Sequence, residues 1–188
     1  MTAHSIPKTA LLITERCYLR HCEEADAEAM TDASNDLDIA KFMTNRFPSP
    51  STLETTREWL AYCQSPNAGH EFGIFTLAGE FVGAIGIEPP RGDVVRAGTR
   101  SIGYYCGRKF RGRGFMTEVV RAFTRWAFAN IPDLLRIEAR VFEPNEGSKR
   151  VLLKAGFVRE GKLRASVVKH GQLMGEDIFG LIRADLEA

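Results

Sequence analysis

Apolar and polar positions change period repeatedly along this chain, and the changes mark its elements. Between residues 115 and 130, Phe115, Val119, Val120, Phe123, Trp126 and Ala127 recur at helical spacing, which predicts a helix packing one face on a sheet. Short apolar runs bounded by Gly, Pro or polar residues predict strands over 17–20, 71–76, 81–88, 100–107, 134–142, 157–163 and 177–182. The second and third form a hairpin about Ala78-Gly79-Glu80. Acids at 23–26 suit a helix start, and that helix fades by Ser34-Asn35, with a further turn or two over 37–43. Ser51 or Thr52 caps another helix reaching about Gln64, with Trp59, Leu60 and Cys63 on one face. A last helix, introduced by Pro144-Asn145, stops at Gly156, a residue suited to a left-handed C-terminal position. Residues 47–51 read as a loop and 89–98 as a mobile Pro/Gly/Arg-rich connection. Residues 1–10 are expected to be flexible, and 11–188 to form one mixed α/β domain without repeat or linker.

Composition narrows the partners. The chain of 188 residues is 44% apolar and 26% charged, with a formal net charge of +1. That balance argues against duplex nucleic acid held through phosphate contacts. No apolar stretch reaches the roughly 18 to 20 residues that span a bilayer, and 10–13 is too short for a secretory core, so no membrane partner and a cytoplasmic location are expected. Cys17, Cys22, Cys63 and Cys106 form no C-x-x-C pair, which favours free thiols. His4, His21, His70 and His170 lack metal-ligand spacing, so no metal is expected.

The run from Arg111 to Glu118, R-G-R-G-F-M-T-E, is the most informative stretch. A strand enters it and a helix leaves it. Helix starts leave about four backbone N–H groups unpartnered and carry the positive end of the macrodipole, so phosphate binds there readily. Gly112 and Gly114 allow close backbone approach and positive φ, while Arg111 and Arg113 add charge. The local reading is a pyrophosphate cradle, against the plainer one of a Gly-containing turn with two solvated arginines. A P-loop is absent, and Thr117 stands where a dinucleotide fingerprint needs its third Gly.

A second stretch, Asn145 to Phe157, lies at a telling distance. With Gly103-Tyr104-Tyr105, Arg111 to Glu118, Asn145 with Ser148, and Leu152-Leu153-Lys154-Ala155-Gly156-Phe157, the chain resembles the Gcn5-related N-acetyltransferase family. Within it, the likeness is to the branch that acetylates ribosomal protein N-termini, whose opening is matched by Thr14-Glu15-Arg16-Cys17-Tyr18-Leu19-Arg20. The resemblance implies a central, mostly antiparallel sheet of about six to seven strands with a splayed pair and helices on both faces. It implies acetyl-CoA as cosubstrate and a primary amine as acceptor, in a monomer or homodimer. The family's R/Q-x-x-G-x-G/A signature falls on Arg111, Gly114 and Met116, and implies that amides from Arg111 through Gly112, Arg113, Gly114 and Phe115 to Met116 hold the pyrophosphate. Met116 departs from the family's Gly or Ala. The resemblance also implies that strand 102–106, with Tyr104, Tyr105 and Cys106, lends backbone groups to the pantetheine arm. For that the strand must part from 137–142, and Gly103 and Gly107 are expected to favour a bulge or splay.

Acetyl transfer needs a neutral amine, whereas an alkylammonium has a pKa of about 10.4 and an α-ammonium of about 8, so a base must take a proton. Ser148 matches the family serine near the CoA sulfur, or merely bonds within its helical turn; Asn145 bonds pantetheine, caps the helix, or both. Relatives often carry Glu where this chain has Ser101, which leaves Glu88 as a substitute base. Glu118 is expected to pair with Arg121 or order the turn, and Glu138 faces either side of its strand. Cys106 invites a covalent route, but a thiol in a buried strand is usually inert, so direct transfer is preferred. Tyr104 or Tyr105 serves as acid, as substrate wall, or as core. The acceptor is a protein or peptide N-terminus or a small amine such as a polyamine, amino sugar or antibiotic. It is expected to be selected by the N-terminal helices and by loops at 42–51, 89–98 and 167–175, where Arg164, Lys169 and His170 either attract acidic substrate or solvate the surface. A non-catalytic acyl-CoA-binding regulator is the competing reading.

Overall fold

A computed structural model describes residues 6–65, 68–89 and 94–186. The strands are β1 (Leu12–Ile13), β2 (Cys17–Arg20), β3 (His70–Thr76), β4 (Phe81–Ile87), β5 (Thr99–Cys106), β6 (Arg136–Phe142), β7 (Val158–Lys169) and β8 (Gln172–Ile182). The helices are α1 (Ala27–Ser34), α2 (Leu37–Ala40), α3 (Leu53–Cys63), α4 (Phe115–Asn130) and α5 (Glu146–Lys154). All eight strands join one sheet in the order β1-β2-β3-β4-β5-β6-β8-β7. Its ladders are antiparallel except for that between β5 and β6.

Strand alternation sorts the core into two layers. Leu19, Ile74, Ile85 and Ile102 face α4, meeting Val119, Val120 and Phe123, while Leu152 brings α5 onto the same layer. Tyr18, Phe75 and Phe81 point the other way, against Ala27 and Met30 of α1 and Leu60 of α3. Thr52 caps α3, its hydroxyl accepting from the Thr55 amide. Trp59 departs from the expected shared face with Leu60: it is 42% exposed and tilts against Tyr62 at 5.2 Å.

Two differences from the sequence expectation concern strands. β1 is added as a two-residue edge, Leu12 opposite Leu19. β7 and β8 run much further than expected, pairing to Lys169–Gln172, so 167–175 is the tip of a hairpin. Within the expected 89–98 connection, residues 90–93 lie outside the described residues, and Val94–Arg96 form a single 3-10 turn. The expected flexible start, 1–10, falls outside them over 1–5, and Ala10 N–H donates to the Pro7 carbonyl at 2.9 Å.

Candidate active site

The strand pair β5/β6 supplies the opening. Their parallel register holds only for Thr99–Arg136, Arg100–Ile137 and Ser101–Glu138. Toward β4, β5 keeps an unbroken register from Ile102–Ile87 to Cys106–Gly83. Of the bulge or splay expected at Gly103 and Gly107, the structure has the splay, and the parting lies wholly on the β6 side. Beyond Ser101 each strand follows its other neighbour: β5 stays with β4, and β6 stays paired with β8 over its full length, from Arg136–Ile182 to Phe142–Glu176. Backbone bonds from Glu88 to Ser101 and from Gly107 to Val82 set the alternation of β5. That alternation turns the peptide groups of Ile102, Tyr104 and Cys106 toward the parted side. A cleft of about 1710 Å³ occupies the space and extends to the turn at 111–116 and the start of α5.

The turn between β5 and α4 has the conformation its glycines suggest. Gly112 and Gly114 stand at φ 71° and 83°, and no atom lies within 4 Å of where a Gly112 Cβ would be. Gly114 is the N-cap of α4, and no side chain caps it, so the first amides of a 16-residue helix face the cleft end without a side-chain acceptor. The arginines beside those amides have partners of their own. Arg111 donates to the Cys106 carbonyl at 3.0 Å and to Asp36 at 2.8 Å. Arg108 joins the same carboxylate, and Arg113 lies 5.4 Å from the Phe115 ring. The Phe115 and Met116 side chains are buried in the core, so Met116 fills the helix base and leaves only its amide for an anion. Glu118 pairs with Arg16 instead of Arg121, accepting at 2.6 Å from its Nε, at 2.9 Å from its amide and at 2.6 Å from Thr14. Burial works against ionisation there, but these bonds hold the Glu118 carboxyl below its usual value. Arg121 instead donates to the Lys154 carbonyl of α5.

On the α4 and α5 side of the parting, the Tyr104 and Ser148 hydroxyls meet at 2.8 Å. Asn145 caps α5 by accepting from the Ser148 amide at 3.1 Å. Ser148 therefore both bonds within its turn and presents its hydroxyl to the cleft. Burial pushes the Tyr104 phenol well up, with the Ser148 bond opposing.

The α1 and α3 side carries acids. Glu88 follows β4, its amide bonded to the Ser101 carbonyl, and its carboxylate pairs with Arg46 at 2.8 Å. One cross-strand row earlier, Glu71, Gly86 and Gly103 lie side by side on β3, β4 and β5. Burial, then the Glu88 charge, pushes the Glu71 carboxyl up to about 7, with Arg46 opposing. Glu71 was not singled out by its sequence context. The usable signal is an acid on the inward face of an apolar strand, with glycine opposite it on two successive strands. Tyr105 sits on this same side, edge-on to Phe47 at 5.6 Å. The Cys106 thiol is pushed up by burial to about 11, which suits an inert thiol.

Further out, Lys169 is buried at the hairpin tip and donates to Asn45 at 3.1 Å, joining that tip to the 42–51 loop, while Arg164 and His170 are exposed. Glu138 lines the cleft, bonded to Arg140 at 3.0 Å. Among the described residues, no group of three or more His, Cys, Asp or Glu could hold a metal ion, and no helix is long and apolar enough to cross a membrane.

A family profile described as "Acetyltransferase (GNAT) domain" matches residues 16–158. The chain is 31% identical over 179 residues to a probable N-acetyltransferase, YjcK, of Bacillus subtilis (strain 168), covering 90% of this chain and 96% of that one. Among solved structures, RimL, a ribosomal L7/L12 α-N-protein acetyltransferase in complex with coenzyme A, superposes with a TM-score of 0.78 at 17% identity, covering 92% and 97% of the two chains. Spermidine N-acetyltransferase from Vibrio cholerae, in complex with CoA and spermine, gives a TM-score of 0.77 at 17% identity, covering 92% and 98%. At that identity the structural likenesses establish the shared fold.

Proposed function

The chain belongs to the acetyltransferase (GNAT) domain family and is an N-acetyltransferase, and from that premise we propose that it transfers acetyl from acetyl-CoA to a protein N-terminal α-amine by direct attack in a ternary complex. The observation that carries this reading is the parting of β5 from β6 with an uncapped, glycine-rich helix start at its mouth. The amides of residues 112–116 would take the pyrophosphate, the Arg111 amide being bonded to the Arg108 carbonyl at 3.3 Å, and the fit is good: open space at Gly112, positive φ at both glycines and no side-chain cap at Gly114. The peptide groups of Ile102 and Tyr104 and the Cys106 amide, whose carbonyl is held by Arg111, would pair with the pantetheine amides in place of a neighbouring strand. Asn145 holds the first turn of α5, and the Ser148 and Tyr104 hydroxyls would protonate or hydrogen-bond the departing sulfur.

Support for a chain-like acceptor comes from the cleft. At about 1710 Å³ it exceeds the roughly 300–1,000 Å³ of an ordinary small-molecule site, so it has room for the cosubstrate and for an extended acceptor. Its acceptor side mixes Glu58, Glu71 and Glu88 with Lys41, Arg46 and Arg96, a pattern without the one-signed field a polycation would favour. Relatives of the fold act on both kinds of amine, since RimL is a ribosomal-protein acetyltransferase and the Vibrio cholerae structure contains spermine. The test is a thiol-release screen with acetyl-CoA, comparing short peptides bearing free α-amines with spermidine and an amino sugar. Preference for the peptides is expected. Turnover with spermidine alone would reassign the acceptor, and CoA binding without turnover on any amine would leave a regulator.

A further inference from the structure

We propose that Glu71, on β3, is the general base that takes the proton from the acceptor amine, and that Gly86 and Gly103 keep open the lane between its carboxylate and the reacting carbon. This rests on the direct-attack reading above. It assigns the proton to a strand outside the parted pair.

The register places the three residues in one row. Glu71 pairs with Gly86, and Gly86 pairs with Gly103. Directly paired residues present their side chains on the same sheet face. The Glu71 side chain lies across Gly86: a Cβ built there would fall 1.8 Å from Glu71 Oε2. Beyond it, a Cβ on Gly103 would meet nothing within 4 Å. Neighbouring strands are about 4.8 Å apart, so a carboxylate already lying over β4 is about one strand spacing from the parted edge of β5. An amine, or an amine and one water, fits that distance. Any side chain at Gly86 would displace the carboxylate, and one at Gly103 would fill the lane.

The surroundings suit a base. Glu71 lines the main cleft and also a smaller pocket bounded by Trp59, Leu60 and Cys63. The charged and titratable groups facing it are Glu88 at the end of β4, Arg46 from the loop before α3, and the Cys63 thiol of α3. The His21 ring contacts only its backbone carbonyl, at 3.0 Å. Glu88 is held by Arg46 at 2.8 Å, whereas no ion pair is formed by Glu71 among the described residues. A carboxyl poised near neutrality combines adequate basicity with a usable deprotonated fraction.

The balance of the step is complete. As the nitrogen forms its bond to the thioester carbon, its N–H proton passes to a Glu71 oxygen, directly or through water. The C–S bond breaks on the other side of the parting, where the sulfur accepts a proton from the Tyr104–Ser148 pair. The amide and free thiol leave, Glu71 gives its proton to solvent, and the Tyr104–Ser148 pair takes one back from solvent.

The experiment compares wild type, Glu71→Gln and Glu88→Gln in thiol release from acetyl-CoA across pH 6 to 9, with CoA affinity measured by calorimetry. Wild-type kcat/KM with an N-terminal alanine peptide should rise with pH in two limbs, a lower one through about 7 from Glu71 and an upper one at about 8 from the free α-ammonium. Glu71→Gln should lose about 10²-fold or more in kcat and lose the lower limb while keeping the upper one, with CoA affinity unchanged. It should recover most of its rate with hydroxylamine, a nucleophile already unprotonated at pH 7, which a merely misfolded site would not do. Glu88→Gln should keep the lower limb and move it downward, because a like charge is removed. The lower limb retained in Glu71→Gln would overturn the assignment. A wild type that transfers acetyl to no amine would sink the preceding reading instead. The base itself is then still tested by a carbon-13 titration of the glutamate carboxyls: a Glu71 signal, identified by its loss in Glu71→Gln, that titrates in the ordinary carboxylate range overturns the proposal.

Discussion

The Tyr104 and Ser148 hydroxyls are 2.8 Å apart, and they join the parted strand β5 to the first turn of α5. Ser148 is fixed from below by its amide bond to Asn145, so its rotamer and the phenol position define each other. Removing either hydroxyl leaves backbone and packing intact while deleting a donor on the side of the cleft proposed to take the sulfur. Ser148→Ala and Tyr104→Phe are each expected to lower kcat by about 10- to 100-fold, within the range of a lost proton donor, with little change in CoA affinity. The double variant should be no worse than the poorer single one, because the two act as a unit. Equal and independent losses in steady-state kinetics would show that the pair does not cooperate.

Gly114 combines a φ of 83° with the N-cap position of α4. Gly114→Ala introduces left-handed strain of about 1–2 kcal/mol, and its methyl would sit 3.4 Å from Arg16 Nη2. Gly114→Asp adds a carboxylate at the helix end proposed to hold the pyrophosphate. The alanine variant is expected to weaken CoA binding modestly and the aspartate variant to abolish it. Micromolar affinity retained by the aspartate variant in calorimetry would contradict the cradle.

Much of this site is written locally in the chain. The turn at 111–116 and the Asn145 cap depend on glycine φ and on short-range hydrogen bonds, so sequence spacing reports them directly. The destination of Glu118 does not: its partner Arg16 is 102 residues away, and local spacing favours Arg121. Glu71 was hidden for the same reason, since its role depends on two glycines brought beside it by strand register. The outer parts of β7 and β8 escaped because the hairpin projects past the core. Most of β7 beyond Val158 is exposed on both faces, its register shifts between Leu163 and Val167, and Ala165 adopts φ 51°. The buried positions near the tip are Lys169, Gly175 and Glu176, so no alternation of apolar residues records either strand there. The splay of β5 from β6 was expected from the resemblance, but its extent is not local to β5: it is set where β5 keeps to β4 and β6 keeps to β8.

Leu152 tests how far α5 depends on the core. It is fully buried and sits one turn beyond Ser148. Leu152→Ala should cost about 2–5 kcal/mol of stability, as expected for a large side chain removed from a packed interior. Because α5 carries Asn145 and Ser148, the variant should also lose turnover at temperatures where it is still folded. Denaturant unfolding and assays at low temperature separate the two effects. A loss of stability without any fall in kcat would show that the first turn of α5 is positioned independently of its buried end.

Asp36 ties the arginines beside the cradle to the N-terminal helices. Its carboxylate accepts from Arg111 at 2.8 Å and from Arg108 at 3.1 Å. The Arg108 hydrogen bond, aided by the Asp38 amide and the Arg111 charge, holds the Asp36 carboxyl at about 2, against the effect of burial. A carboxyl whose folded pKa lies below its unfolded value stabilises the fold above the unfolded pKa, and the benefit is lost as pH falls through the folded one. The relevant window is therefore pH 4 down to about 2. Asp36→Asn is expected to lower Tm by a few degrees at pH 7, and the difference from wild type should shrink across that window. The same variant frees Arg111 from its carboxylate, so CoA affinity should hold or rise while stability falls. A Tm gap that stays constant down to pH 2 would place the cost in packing around residue 36 and not in its charge.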